Sequence, residues 1–173
     1  MVIPAKYDDA WPFSEGLALV EINGKYGFID KTDTIVIPAK YDDAGSFSEG
    51  LAWVEINGKY GFIDKTDTIV IPAKYDDAGS FSEGLAWVEI NGKYGFIDKT
   101  DTIVIPAKYD YATDFIEGLA RVVIDGKYGF IDKTDTVVIP AKYDYAWPFS
   151  SGKAQVWLNG RQFFIDRNGN EVQ

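Results

Sequence analysis

Cysteine and histidine are both absent from the 173 residues. Without thiols there are no disulfides and no thiolate metal sites, although this does not fix the compartment. Without imidazole the chain lacks the commonest general base and the commonest metal ligand. Positive charge is scarce: 17 Lys and Arg stand against 27 Asp and Glu, a net charge of −10. That balance disfavours binding to a phosphate backbone, so no nucleic-acid partner is expected. Long apolar runs are missing too. The opening MVIPAKYDDA has no basic segment followed by an apolar stretch, so neither a signal peptide nor a membrane span is expected. Apolar and aromatic residues are plentiful, at 46% and 16% of the chain, which suits a packed core and rules out disorder.

The apolar residues recur with a fixed period. Pro4, Pro38, Pro72, Pro106 and Pro140 stand 34 residues apart. The unit VIPAKYDDAGSFSEGLAWVEINGKYGFIDKTDTI, residues 36–69, repeats without change at 70–103. The copy at 2–35 differs at Trp11, Pro12 and Leu19, the copy at 104–137 differs at eight places, and the copy at 138–173 drifts after Gly152. Two identical neighbours imply either recent duplication or design. Five such units make one repeat array, because a period of this length marks a solenoid, a propeller or another tandem architecture.

Every local signal within a unit is β. LAWVEI (51–56) alternates, and Asn57-Gly58 then marks a tight hairpin leading into KYGFID (59–64). The polar turn DKTDT leads to IVIPAKYD (69–76), whose Pro72 lacks an N–H and belongs at a sheet edge. The fold expected is all-β: five three-stranded antiparallel meanders joined by the turn-like DDAGSFSEG loop (76–84). An open, solenoid-like stack is favoured over a closed five-bladed propeller-like ring. Two features bear on that choice. The fifth copy is more polar and carries Phe163 where the others have glycine, as a terminal cap would. Against this, the chain opens with a lone VIPAKYD and ends two strands into a unit, an arrangement by which propellers close. Trp11-Pro12 and Trp147-Pro148, which replace Gly-Ser only in the outer copies, fit either an end seal or a ring contact.

Comparing the copies separates the faces of the first strand. Ala18, Ala52, Ala86, Ala120 and Ala154 never change, nor do Val20, Val54, Val88, Val122 and Val156, and the next alternate position is Ile or Leu158. This is a core face. The intervening position reads Leu19, Trp53, Trp87, Arg121, Gln155. Its tolerance of Arg and Gln points to the surface, unless both faces of a stacked sheet are buried. Trp53, Trp87 and Arg121 are therefore the candidate binding surface, for a protein or a glycan. Tyr41, Phe47, Tyr60 and Phe62 read as a stacked core spine. Gly27, Gly61, Gly95 and Gly129 in mid-strand call for a close approach to the backbone, and an aromatic of the next unit is the natural candidate.

The recurring F-S-E-G-L-A-x-V, G-K-Y-G-F-I-D and V-I-P-A-K-Y-D-x-A resemble the bacterial WG-repeat family, with Tyr for the Trp of the G-K-W-G core. The resemblance covers nearly the whole chain. It implies tandem β repeats of variable number, often appended to other domains, and no catalytic residues. The family turn is closer to D-K-T-G-K, so Asp33, Asp67, Asp101 and Asp135 depart from it.

Sharper readings of single motifs are weaker. DKTDT is similar to the phosphorylated-aspartate loop of P-type ATPases, but that chemistry needs a parallel α/β sheet, whereas here the segment recurs between β strands. GKYG lacks the glycine spacing and the helix of a phosphate loop. A unit carries Asp42, Asp43, Glu49, Glu55, Asp64 and Asp67 against three lysines, and stacked rows of these could attract Ca²⁺. The rows lack the dense, glycine-spaced pattern of Ca²⁺ repeats, so solvated carboxylates are expected and no metal or cofactor is assigned. The reading is a non-enzymatic structural scaffold or spacer, with a binding module as the alternative. Exposed array ends would also permit end-to-end self-association.

Overall fold

The computed structural model describes residues 6–173. The chain forms five four-stranded antiparallel sheets and, among the described residues, no helix. It divides into two compact units, one running through Phe81 and the other from Ser82 on.

The first unit holds two complete sheets. In one, β1 (Asp9–Ala10), β2 (Leu17–Ile22), β3 (Lys25–Asp30) and β4 (Ile35–Tyr41) follow in order. The other repeats the pattern with β5 (Asp43–Ala44), β6 (Leu51–Ile56), β7 (Lys59–Asp64) and β8 (Ile69–Tyr75), and β9 (Asp77–Ala78) follows. The second unit contains β10 (Ala86–Ile90), β11 (Lys93–Ile97) and β12 (Ile103–Tyr109). Then come β13 (Tyr111–Ala112), β14 (Ala120–Ile124), β15 (Lys127–Ile131) and β16 (Val137–Tyr143), and finally β17 (Tyr145–Ala146), β18 (Ala154–Leu158), β19 (Arg161–Ile165) and β20 (Glu171–Val172).

The expected meander is present, with one strand more than the sequence signalled. The DDAGSFSEG-type loop contributes a two-residue strand, Asp43↔Glu55 and Ala44↔Val54, and then a tight turn. In that turn Ser48 and Leu51 exchange both backbone hydrogen bonds, at 2.9 and 3.1 Å. Glu49 (φ 52°) and Gly50 (φ 88°) fill its two central positions. Asn57-Gly58 has the same geometry, with φ of 53° and 74°. Two consecutive residues at positive φ give the turn twist that matches paired strands. The Ser-Glu-Gly-Leu turn escapes a sequence search because glutamate is an uncommon occupant of that region.

Pro72 lies on β8, the edge strand, as its missing N–H requires. Its neighbourhood also explains the mid-strand glycine. The pairs Tyr60↔Tyr75 and Phe62↔Ile71 are separated by two residues on β7 but four on β8, so the edge strand bulges. The bulge folds over Gly61: a Cβ there would lie 2.5 Å from the Ile71 carbonyl oxygen and 2.6 Å from the Ala73 nitrogen. The close approach comes from backbone of the same sheet, not from an aromatic of the next unit. In the fifth sheet the short β20 pairs only Phe164↔Val172 and Ile165↔Glu171. It has no bulge, and Phe163 takes the glycine's place and meets Tyr143 edge-on at 6.3 Å. The fifth sheet therefore has a stub where two bare strands were expected. The expectation that an opening VIPAKYD strand pairs elsewhere falls largely outside the described residues.

The core follows the faces read from the copies. The Ala18 and Val20 rows are buried in every sheet, whereas the Ile22 row is only half-buried, at the hairpin end. Phe28–Phe47 and Phe62–Phe81 in the first unit, and Phe96–Phe115 and Phe130–Phe149 in the second, are ring pairs at 4.8–4.9 Å. Each joins one copy to the next, as the core spine read from the sequence requires. Tyr41, Phe47 and Phe62 are buried in it and Tyr60 is half-buried.

Candidate functional site

The DKTDT segment is a turn whose aspartate is already saturated. Asp64 Oδ1 accepts hydrogen bonds from Thr66 N (2.8 Å), Thr66 Oγ1 (2.7 Å) and Thr68 N (3.0 Å). Those donors hold its carboxyl below the usual range. Asp30, Asp98 and Asp132 repeat the arrangement, and Asp166 keeps the backbone part of it.

The second turn aspartate, the departure from the family's D-K-T-G-K, links one sheet to the next. Asp67 sits at φ 67°, where glycine is the easier residue. Its Oδ1 accepts from Tyr41 Oη at 2.6 Å and its Oδ2 pairs with Lys40. Asp33 does the same for Tyr7 and Lys6, and Asp135 for Tyr109 and Lys108. Burial first, and the Asp67 carboxylate second, push the Tyr41 hydroxyl well above its ordinary value. In the fifth copy the position is Gly169, and Tyr143 loses this acceptor. Beside the Asp67 link lies a cavity of about 240 Å³ lined by Lys40, Tyr41, Ile56, Asp67 and Ile69.

Three further links recur between successive copies. Ser14 and Ser48 donate to the carbonyls of Phe47 and Phe81 at 2.7 Å. Glu15 accepts from Gly50 N at 3.0 Å, while Lys65 donates to the Glu15 carbonyl at 2.8 Å. Asp42 accepts from Asn57 N at 2.7 Å and pairs with Lys25. These carboxylates are thus engaged with backbone groups, hydroxyls and lysines of the repeat itself. Among the described residues, no group of three or more acidic side chains is placed to hold a metal ion.

The intervening strand position is not exposed. Leu19 is 4% and Arg121 9% exposed, and Trp53, Trp87 and Gln155 are half-buried. The copies tolerate such different residues there because the facing loop residue changes with each. Gly45 N donates to Trp53 O at 3.0 Å, and a Cβ on Gly45 would stand 2.2 Å from Trp53 Nε1. The Trp53 indole therefore occupies the space above Gly45, 5.5 Å from the Tyr60 ring. In the first copy the strand carries Leu19 and the loop carries Trp11, whose ring lies 5.8 Å from Tyr26. Tryptophan moves from strand to loop and keeps its place beside the tyrosine. The fifth copy has Gln155 opposite Trp147. Trp11 and Trp147 thus each have an aromatic neighbour in their own sheet, Tyr26 and Tyr145.

The fourth copy fills this position with a charged residue. The Arg121 guanidinium stands 5.7, 5.4 and 5.7 Å from the ring centres of Tyr111, Tyr128 and Tyr145, and Nη1 donates to the Ala146 carbonyl at 2.5 Å. Burial raises the pKa of the nearby Asp114, against a hydrogen bond from Trp87. Among the described residues, Asp114 Oδ1 and Arg121 Nε are the buried side-chain atoms without a hydrogen-bond partner. Of the three candidates from sequence, Trp87 and Arg121 both belong to this region of the second unit, and Trp53 lies in the first.

The family model described as "WG containing repeat" matches residues 1–26, 26–60, 60–94, 94–128 and 128–161 in succession. The chain belongs to the WG-repeat family. No curated protein sequence matches it. Among solved structures, these WG repeats are similar to Kluyveromyces lactis Hsv2 with loop 6CD replaced by a Gly-Ser linker. The TM-score is 0.59 at 11% identity, over 92% of this chain and 62% of that one. The AfRom2 CNH domain matches with a TM-score of 0.56 at 11% identity, over 97% of this chain and 70% of that one. A eukaryotic initiation factor matches at 0.62 and 11%, over 94% of this chain and 52% of that one. At such identities the likeness concerns the fold alone, which in these chains is propeller-like.

Proposed function

We propose that this chain is a non-catalytic scaffold, an array of WG repeats whose length sets the spacing of whatever it joins. The observation that carries this reading is the repetition of one set of links: a Phe–Phe contact, a Ser–carbonyl bond, a Tyr–Asp–Lys cluster and a Glu–Gly bond. A unit of 34 residues buries too little surface to stand alone, so its stability comes from its neighbours. The absence of histidine and cysteine, and the use of the carboxylates in structural contacts, support a role without chemistry.

The likeness to propeller-like chains supports blades set about an axis. Phe163 and the β20 stub support an array left open there, because the place of the bulged edge strand is already taken. The test is insertion of one and two extra copies of residues 36–69. An open scaffold accepts both, and its denaturant dependence steepens with each added unit as more surface is buried. Aggregation of both lengthened chains would contradict it. The second reading, a binding module, is favoured by the fourth copy, where the repeat pattern is broken around Arg121.

A further inference from the structure

The hairpin end of the sheet changes character from copy to copy. At the hairpin end of each sheet the short first strand pairs with the second, and in the early copies both residues are acidic: Asp9↔Glu21 and Asp43↔Glu55. The third copy carries Asp77 and Glu89 at the same positions. These carboxylates surround a half-buried tyrosine. After burial, Glu21, Asp43 and Asp9 raise the hydroxyl pKa of Tyr26, and Glu55, Asp77 and Asp43 raise that of Tyr60.

In the fourth and fifth copies the pairs become Tyr111↔Val123 and Tyr145↔Trp157. Four carboxylates are replaced by three aromatic rings and a valine, and the buried strand position beside them becomes Arg121. The rings touch one another. Tyr128–Tyr145 lie at 5.1 Å, Tyr145–Trp157 at 5.5 Å and Tyr145–Trp147 at 5.6 Å, the last two edge to face. Tyr111 remains 41% and Trp147 51% exposed.

We propose that this face, centred on Tyr111, Tyr145, Trp147 and Trp157, is a self-association surface that takes a second copy of the chain, patch against patch. The charge pattern selects that occupant. Two chains of net charge −10 repel one another, and in a two-fold contact each patch meets its own image. A carboxylate on the patch would be doubled across the axis, and this is the face from which four are removed. Tyrosine, tryptophan and arginine for acidic residues is also the composition of an interface core. Arg121 acts as a positioning residue: held by the Ala146 carbonyl, it lies against three of the tyrosines and fixes them before any partner arrives, which lowers the ordering cost of association. The proposal does not rest on whether the array is open or closed.

The test is sedimentation velocity of the full chain from about 1 to 500 µM, beside the quadruple variant Tyr111→Asp, Val123→Glu, Tyr145→Asp, Trp157→Glu. Each replacement is the residue that the second copy carries at that place, so each suits the fold. Unchanged far-ultraviolet circular dichroism checks this. The expected result is a dimer of twice 19.3 kDa for the parent chain, with association at least about tenfold weaker in the variant. A chain monomeric throughout the range, a variant that dimerises as the parent does, or growth into open-ended polymers would each overturn the proposal.

Discussion

Exchanging the tryptophan of the second copy between strand and loop should cost far less than the sum of the two halves of the exchange made separately. The indole of Trp53 occupies the space over Gly45, 2.2 Å from where a Cβ would stand. Gly45→Trp, carried with Ser46→Pro to match the first copy, puts two indoles where there is room for one. Overpacking of this kind costs about 3 kcal/mol. Trp53→Leu alone removes a half-buried ring and opens a gap, at about 2 kcal/mol. The combined variant reproduces Trp11 opposite Leu19, an arrangement the first copy already contains. Independent sites would sum to about 5 kcal/mol of destabilisation. The structure predicts about 2 kcal/mol or less, a coupling of about 3 kcal/mol. Urea unfolding of the four proteins measures it. Additive losses would refute the idea that the two positions share one space.

Gly61→Ala should cost about 2–3 kcal/mol, because the added Cβ meets the Ile71 and Ala73 backbone and not a movable side chain; thermal melting should fall by about 4–10 °C. Tyr41→Phe should cost about 1–2 kcal/mol by removing the donor to Asp67, while Tyr143→Phe, at a site with Gly169 in place of that aspartate, should cost less. Asp30, Asp42, Asp64, Asp110, Asp132 and Asp144 all have carboxyls held below their ordinary range by hydrogen bonds and lysines. A lowered folded-state pKa adds stability that is present above the unfolded value and lost as pH falls through the folded one. Unfolding free energy should therefore be flat near neutrality and decline below about pH 4. Tyr41 and Tyr109 are shifted upward, so their contribution is complete below about pH 10 and declines above it; pH-dependent urea midpoints check both limbs.

The all-β meander was legible because Asn57-Gly58, the alternating LAWVEI and the edge-seeking Pro72 are each local signals. The conserved-looking Ala and Val rows gave the core face, since a strand's period of two puts them on one side. The two-residue strand Asp43–Ala44 was hidden because its turn uses Glu49 at positive φ, and the bulge over Gly61 because it depends on register. Arg121 misled for a physical reason. Tolerance of a charged residue suggested solvent, yet three tyrosines and a carbonyl satisfy most of the guanidinium inside the protein. The compensating change was visible at Tyr111 and Tyr145, two of the places where the fourth and fifth copies part from the unit. The pairing of Trp11 with Leu19 and of Gly45 with Trp53 was likewise present in the letters, but only the cross-strand register shows that the two positions meet.

The most direct test of the scaffold account is small-angle scattering on this chain and on versions lengthened by one and two copies of residues 36–69, at concentrations where sedimentation shows a single monomeric species. A compact globule of this length has a radius of gyration of about 16 Å. The account predicts that the longest dimension grows steadily with each insertion, by about 10 Å, the spacing of packed sheets. A parent chain that closes into a ring and lengthened chains that cannot fold would contradict it.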